Sequence, residues 1–232
     1  MAKVSVVMIT YGHEKYIAQA VNGVLMQECD FPVELIIAND CSPDNTDLII
    51  KDFIENHSKG GTINYIKHEK NVGMISNLIS AIEQTTGDYI ALCEGDDYWT
   101  DPMKLQKQVN FLEANPDYAM CIHNVMNLKE DGKKTLFATY DKEDFTITDL
   151  AKGNFISTLS VVYRVYKEKF PSYFHRIFLG DYVLNMHVAM NGKIRLINEV
   201  MGVYRLHGQS VWSARQEEFK LIKAAEAIAV QL

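Results

Sequence analysis

The sequence has no long hydrophobic run, few prolines and no excess of positive charge over its 232 residues. No stretch approaches the ~18 consecutive apolar residues of a transmembrane helix. Five prolines and 13 glycines exclude a collagen-like or low-complexity chain. Because 23 Lys and Arg stand against 30 Asp and Glu, the charge argues against nucleic-acid binding, which needs a basic surface. A composition of 47% hydrophobic and 23% charged residues is typical of a folded domain.

Several chemical signatures are also missing. The sequence contains no GxGxxG, GxxxxGK[ST], HExxH or GxSxG motif, which argues against a nicotinamide dinucleotide site, a P-loop, a zinc protease helix and a hydrolase nucleophile elbow. Its four cysteines form neither a CxxC pair nor a zinc-binding spacing, and a chain of this length needs no disulfides to fold. The short apolar run at the N-terminus meets polar residues at once, which predicts a strand and not a signal peptide. We therefore expect a cytoplasmic protein.

The first half of the sequence contains alternating strand and helix patterns. Continuous apolar runs at Val4–Ile9, Val33–Ala38 and Tyr89–Cys93 predict strands that are buried on both faces, and Ile63–Ile66 predicts a shorter strand. The predicted helices cover Ile17–Leu25, Asp47–Ile54 and Ile75–Ile82, and a fourth has Asp101 as its N-cap and Pro102 as its first residue and ends before Pro116. This order predicts an α/β fold with a mostly parallel central sheet and helices on both faces.

The second half is less regular. Its predicted elements are strands at Tyr118–Asn124, Ser157–Arg164, Lys193–Ile197 and Val200–Leu206, a helix at Asp181–Met190, and a helix after Arg215. Neither a linker nor an internal repeat interrupts the chain, so we expect one domain. Because ligands bind at the carboxyl ends of the strands in such sheets, the loops that follow the strands are where chemistry is expected.

The most informative of these loops is Glu94-Gly95-Asp96-Asp97. Three carboxylates lie within four residues at the end of a hydrophobic strand. Unpaired, they would repel one another and raise their own pKa values. A hard divalent cation removes that repulsion and prefers oxygen ligands. The alternative is a solvated acidic turn, and the position at a strand end favours the metal site.

Five other positions each allow two interpretations. Asp40 follows the second strand and can accept hydrogen bonds from a ribose hydroxyl or a base N–H, although a helix-capping loop explains this segment better on local grounds. Asp181 starts a predicted helix, as an N-cap or as a general base. His207 is a hydrogen-bonded structural residue or a ligand. Arg205 and Arg215 meet phosphate oxygens or are surface charges.

Three segments of the first half resemble one known family. VSVVMITYGHEKYIAQAVNGVLMQ, ELIIANDCSPDNT and NVGMISNLISAIEQTTGDYIALCEGDDYWTDPMKLQKQ are similar, in order and spacing, to family 2 glycosyltransferases, which have the GT-A fold of the nucleotide-diphospho-sugar transferase superfamily. The second half resembles the family more loosely, through STLSVVYR, LGDYVL and YRLHGQSVWS. The resemblance implies a single GT-A domain over residues 1–232, with residues 1–115 as the nucleotide-sugar half and 116–232 as the acceptor half.

The resemblance also implies roles for individual residues. Asp96 would be the main ligand of Mn²⁺ or Mg²⁺, and His207 would join the metal ion. Asp181 would be the catalytic base, although Gly180 stands where the family usually has a second acidic residue. Ser157–Ser160 would lie on the acceptor side. The residues that would bind the nucleotide and the donor sugar are Thr10, Tyr11, Asp40, Asn71, Glu94 and Asp97.

The implied activity is that of an inverting, metal-dependent glycosyltransferase. It would move a sugar from a nucleoside-diphosphate sugar, with a UDP-sugar favoured, to a glycan or a lipid-linked acceptor in bacterial polysaccharide or glycan synthesis. It would act in the cytoplasm, with peripheral association at the inner face of the membrane as a further expectation. One alternative is a sugar nucleotidyltransferase. The loop Thr10-Tyr11-Gly12-His13-Glu14, however, is not rich in glycine and basic residues, which binding of a triphosphate requires. The other is a non-catalytic nucleotide-sugar-binding module.

Overall fold

The structure is a computed structural model that describes residues 3–165 and 180–208. The helix expected after Arg215 lies outside the described residues. The strands are β1 (Val4–Thr10), β2 (Val33–Asn39), β3 (Ile63–Lys67), β4 (Tyr89–Leu92), β5 (Tyr98–Trp99), β6 (Tyr118–Lys129), β7 (Lys134–Leu136), β8 (Asp144–Phe145), β9 (Val162–Arg164) and β10 (Lys193–Leu206). The helices are α1 (Ile17–Leu25), α2 (Thr46–Asn56), α3 (Met74–Ile82), α4 (Lys104–Ala114), α5 (Ile147–Leu150) and α6 (Gly180–Ala189), with 3-10 turns at Gly60–Thr62 and Thr158–Ser160.

The described strands form one sheet whose main path runs β3-β2-β1-β4-β9-β6-β10-β5. The first four strands of this path are parallel, as predicted. From β4 onwards the sheet is mixed, because β9 is antiparallel to both β4 and β6 while β6 and β10 are parallel. The α/β class is confirmed. Strands β1 and β2 end side by side, because their last residues, Thr10 and Asn39, pair with each other. The loops after these strands therefore lie at one edge of the sheet.

Both faces of the sheet are covered, which is why β1 and β2 are apolar without alternation. On one face Val4, Val6 and Met8 pack with apolar residues of α1, α2 and α4. On the other face Val7 and Ile36 pack with α3 and α6. The two apolar cores hold the sheet edge in place from both sides. Among the described helices, none is long and apolar enough to cross a membrane.

Four predicted boundaries are wrong. Strand β6 continues to Lys129, beyond its predicted end at Asn124. Helix α4 begins at Lys104 and not at Pro102, and the Asp101 carboxylate accepts the Met103 N–H at 2.8 Å in the turn before it. The first part of the predicted strand Ser157–Arg164 is a 3-10 turn. The two strands predicted between residues 193 and 206 are one strand, because β10 continues its pairing with β6 across irregularities between Ile197 and Gly202.

At Gly23, α1 lies close against β5. A Cβ atom there would lie 2.9 Å from the main-chain N and 3.0 Å from the main-chain O of Trp99 in β5. Alanine favours a helix by about 1 kcal/mol over glycine, but overpacking against a main chain costs about 1–3 kcal/mol. We expect Gly23→Ala to lower the free energy of unfolding by about 1 kcal/mol in urea titrations, because the helix gain offsets part of the overpacking cost. Gly153→Ala is the control, because a Cβ at Gly153 meets no heavy atom within 4 Å. Equal midpoints for both variants would contradict this packing argument.

Candidate active site

The acidic loop Glu94–Asp97 directly follows β4 and lies against the end of β1. The Gly95 N–H donates to the Ile9 carbonyl at 3.0 Å. A Cβ atom at Gly95 would lie 2.6 Å from Thr10 Oγ1, so only glycine allows the two segments to come this close. The three carboxylates are therefore held beside the loop that follows β1.

The carboxylates form a compact cluster. Glu94, Asp96 and Asp97 each contribute one oxygen, and these atoms lie within 4.8 Å of one another. Burial, together with the charges of Asp96 and Asp181, raises the pKa of Glu94 to about 8. Burial and the two neighbouring carboxylates also raise the pKa of Asp97 well above its usual value. The crowding of like charges expected from the sequence is thus present in the fold.

Two histidines meet Asp96 from different parts of the chain. His207 Nε2 lies 3.1 Å from Asp96 Oδ2, and His13 Nε2 lies 3.7 Å from the same oxygen. Burial alone would raise the pKa of Asp96, but the hydrogen bond with His207 and the charge of His13 hold it below its usual value. The Asp96 carboxylate is 14% exposed, so it remains open to a ligand.

This set of side chains fits a divalent cation. Carboxylate oxygens and imidazole nitrogens are the donors that Mn²⁺ accepts, and carboxylates are those that Mg²⁺ prefers. Among the described residues Asp97 Oδ2 has no hydrogen-bond partner although it is buried, which is the condition that a cation in the cluster would relieve. Asp96, His207 and the flanking carboxylates could hold such an ion.

Arg205 connects the end of β10 to the acidic loop by hydrogen bonds. Its main-chain N–H donates to Asp97 Oδ1 at 2.8 Å, and its guanidinium donates to the Asp96 carbonyl and to Gln19 Oε1. The guanidinium lies over the rings of Tyr98, at 4.4 Å, and Tyr16, at 5.1 Å. Arg205 is therefore a buried part of the scaffold and not the surface charge that its sequence context allowed. Arg215 lies outside the described residues.

The predicted nucleotide residues Thr10 and Tyr11 follow β1 directly. Thr10 is buried, and its Oγ1 lies 3.1 Å from His13 Nδ1. Tyr11 is 48% exposed, so its ring is available to a ligand at the sheet edge.

Asp40 and Asn71 meet in the loop before α3. The two Asp40 carboxylate oxygens accept the N–H groups of Val72, at 2.6 Å, and Gly73, at 3.0 Å. Asn71 Oδ1 accepts the same Gly73 N–H at 3.1 Å, and Gly73 has a φ of 87°, which favours glycine. The Asp40 N–H donates to the Thr10 carbonyl at 2.9 Å, so Thr10, Tyr11, Asp40 and Asn71, four of the six predicted nucleotide and donor residues, lie at one end of β1 and β2.

Asp181 lies in the first turn of α6 and faces the same cavity as Glu94 and Thr158. Its Oδ2 accepts a hydrogen bond from Thr158 Oγ1 at 3.1 Å, and burial raises the pKa of this carboxyl. A Cβ atom at Gly180 would lie 2.5 Å from Ile75 Cδ1, so the missing acidic residue leaves room for α6 to pack on α3. The remaining walls of the cavity are apolar and come from Val7, Ile9, Met74, Ile75, Leu78 and Leu92.

One residue of the site, His13, was given no role from the sequence. It stands three positions after Thr10 in the loop that follows β1, and this position was the available signal. Thr158 belongs to the segment Ser157–Ser160 that was expected on the acceptor side, but no local signal predicts its contact with Asp181, because only the fold brings the two residues together. Trp99 is 2% exposed and donates its indole N–H to the Leu159 carbonyl at 2.8 Å, so it belongs to the core.

The architecture is the GT-A fold of nucleotide-sugar transferases. S. aureus TarS 1-349 in complex with UDP-GlcNAc aligns over 98% of this chain and 66% of its own, with a TM-score of 0.73 and 19% identity. The mannosyltransferase PcManGT from Pyrobaculum calidifontis, in complex with GDP-Man and Mn²⁺, aligns over 98% of this chain and 64% of its own, with a TM-score of 0.72 and 16% identity.

The sequence comparisons identify the family. The model of glycosyl transferase family 2 matches residues 5–171, and the chain belongs to this family. The uncharacterized protein Rv1520 of Mycobacterium tuberculosis is 38% identical over 213 residues, which are 90% of this chain and 60% of the relative. The putative teichuronic acid biosynthesis glycosyltransferase TuaG of Bacillus subtilis is 30% identical over 161 residues, which are 68% of this chain and 61% of the relative. The chain thus spans about 60% of the length of these relatives.

Proposed function

We propose that the chain is an inverting, metal-dependent glycosyltransferase that moves a sugar from a nucleoside-diphosphate sugar to an acceptor hydroxyl. The observation that carries the proposal is the cavity in which Asp181 and Glu94 of the acidic cluster meet. A general base and a cation site on either side of one cavity are the two parts that a single displacement needs. Membership of family 2 supports the same reaction.

The acidic cluster would lie beside the diphosphate of the bound donor. Asp96 and His207 would hold Mn²⁺ or Mg²⁺, which when bound neutralises the charge of the leaving nucleoside diphosphate. The contacts of Asp96 with His207 support this assignment, since they keep the carboxylate ionised and oriented. Glu94 would contact the donor from the cavity, and Asp97 would contact it from the buried side of the loop.

The nucleotide would lie across the ends of β1 and β2. The half-exposed Tyr11 ring offers a stacking face to the base. Asp40 keeps its carboxylate beside Thr10 and the Asn71 loop, where it can accept a further hydrogen bond from the base. These contacts favour a base with a ring N–H, and a UDP-sugar is our first choice.

Asp181 would act as the general base. Its carboxylate accepts the proton of the acceptor hydroxyl while the hydroxyl oxygen bonds to the anomeric carbon. The bond from that carbon to the nucleoside diphosphate breaks on the opposite face, and the leaving group keeps the electron pair. One displacement inverts the anomeric configuration. Burial raises the pKa of Asp181, which makes the carboxylate a stronger base.

The two halves of the chain would bind different substrates. Residues 1–115 would bind the donor, and 116–232, which include Asp181, would bind a glycan or lipid-linked acceptor. The name of TuaG refers to teichuronic acid biosynthesis, and we place this chain in the same broad area of bacterial polysaccharide synthesis. The reaction would take place in the cytoplasm, at the inner face of the membrane when the acceptor is lipid-linked.

Thermal unfolding with UDP, GDP, dTDP and CDP, each with and without Mn²⁺, tests this function. A ligand that binds only the folded chain stabilises it by about 2.7 kcal/mol at a concentration of 100 Kd. We expect a rise in melting temperature for one nucleotide that requires Mn²⁺, followed by release of that nucleotide from its sugar donor when an acceptor is added. Pyrophosphate release from a nucleoside triphosphate and a sugar phosphate would instead indicate a nucleotidyltransferase. Donor binding without hydrolysis or transfer would indicate a binding module.

A further inference from the structure

Within the described part of the chain, a hydroxyl from outside α6 contacts the Asp181 carboxylate. Thr158 Oγ1 donates to Asp181 Oδ2 at 3.1 Å, and Thr158 lines the cavity that Glu94 shares with Asp181. Resting on the proposed function, we propose that Thr158 is a positioning residue that orients the catalytic base. By holding Oδ2 it limits rotation of the carboxylate and leaves Oδ1 to receive the proton of the acceptor hydroxyl.

The turn that carries Thr158 is held independently of α6. The indole of Trp99 donates to the Leu159 carbonyl at 2.8 Å, and Gln108 Nε2 donates to the Ser160 carbonyl at 2.9 Å. Both hydrogen bonds are buried, and they come from β5 and α4. The hydroxyl is therefore presented from the sheet and its covering helix, while Asp181 comes from a different helix.

A fixed Thr158 hydroxyl matters because the acceptor hydroxyl must attack the anomeric carbon along one line. An error of about 1 Å in the position of a reacting group costs about 100-fold in rate. Rotation about the two side-chain bonds of Asp181 gives its carboxylate several orientations, and main-chain N–H groups of its own helical turn also contact it. A hydrogen bond from a rigid turn selects one of these orientations, and serine could supply it as well as threonine.

The test compares Thr158→Val, which removes the donor at similar size, with Thr158→Ser, which keeps it. We expect Thr158→Val to lower kcat by about 10- to 100-fold, while the KM for the donor and the Mn²⁺-dependent nucleotide shift in melting temperature stay within about twofold. Thr158→Ser should restore kcat to within about threefold of the parent chain. Thr148→Val, an exposed threonine on α5, is the matched control and should leave all of these values unchanged.

A purely structural role would give a different pattern in the Asp181→Asn background. If Thr158 acts through Asp181, Thr158→Val causes no further loss there, because the two changes remove one function. Losses that multiply, or a Thr158→Val variant with the kcat of the parent chain, would overturn the inference and leave the proposed function intact. A parent chain that transfers no sugar from any donor that binds would overturn both.

Discussion

In the Asp96→Ala variant, Mn²⁺ and the nucleoside diphosphate together no longer raise the melting temperature, and sugar transfer falls by about 100-fold or more. We expect this result because Asp96 is the carboxylate that His207 and His13 both orient. Burial keeps the pKa values of the remaining carboxylates, Glu94 and Asp97, raised even when the charge of Asp96 is removed, so they bind a cation less well. The measurement is the melting temperature with nucleotide, with Mn²⁺ and with both.

The control for this variant lies at the other end of the same strand. Asp88 precedes β4 and is exposed, so Asp88→Ala removes the same charge from the chain but not from the cluster. We expect it to keep the Mn²⁺-dependent shift in full. The unliganded Asp96→Ala chain should keep its own stability to within about 1 kcal/mol, because relief of repulsion offsets the lost hydrogen bond to His207. A normal metal-dependent shift in Asp96→Ala would remove the acidic cluster from the proposed donor site.

The Asp181→Asn variant should bind the donor and lose transfer. We expect kcat to fall by about 10²- to 10⁴-fold, which is the usual contribution of a general base, with the Mn²⁺-dependent nucleotide shift unchanged. The amide keeps the shape of the side chain and its contact with Thr158 but cannot take the proton of the acceptor. Single-turnover transfer with a bound donor measures this step directly.

The dependence on pH gives a second readout of the same residue. A general base must be deprotonated, so kcat/KM falls as the pH falls through the pKa of Asp181. Burial raises this pKa, and the acidic limb of the profile therefore lies at a higher pH than it would for an ordinary aspartate. Asp181→Asn should lack the limb contributed by this group. Asp141→Asn, an exposed aspartate, is the control, and normal transfer by Asp181→Asn would assign the base to another residue.

Much of the first half of the fold could be predicted from local patterns. Strand β1 was expected at Val4–Ile9 and is found at Val4–Thr10, and β2 was expected at Val33–Ala38 and is found at Val33–Asn39. Continuous β-branched runs between turn residues define such strands, since burial on both faces leaves little room for other patterns. In the predicted strand Ser157–Arg164 the first part is not a strand. Its composition is typical of a strand, but tertiary hydrogen bonds from Trp99 and Gln108 fix it as a 3-10 turn.

The sequence by itself determined the strands of the parallel half, the acidic loop after β4 and the position of Asp181 at a helix start, because each depends on residues close together in the chain. The tertiary structure alone decided which groups meet. His207 lies 111 positions from Asp96 along the chain, and Thr158 lies 23 positions from Asp181. Contacts over such separations depend on how β10 and α6 pack on the sheet, and local propensity carries no information about that packing.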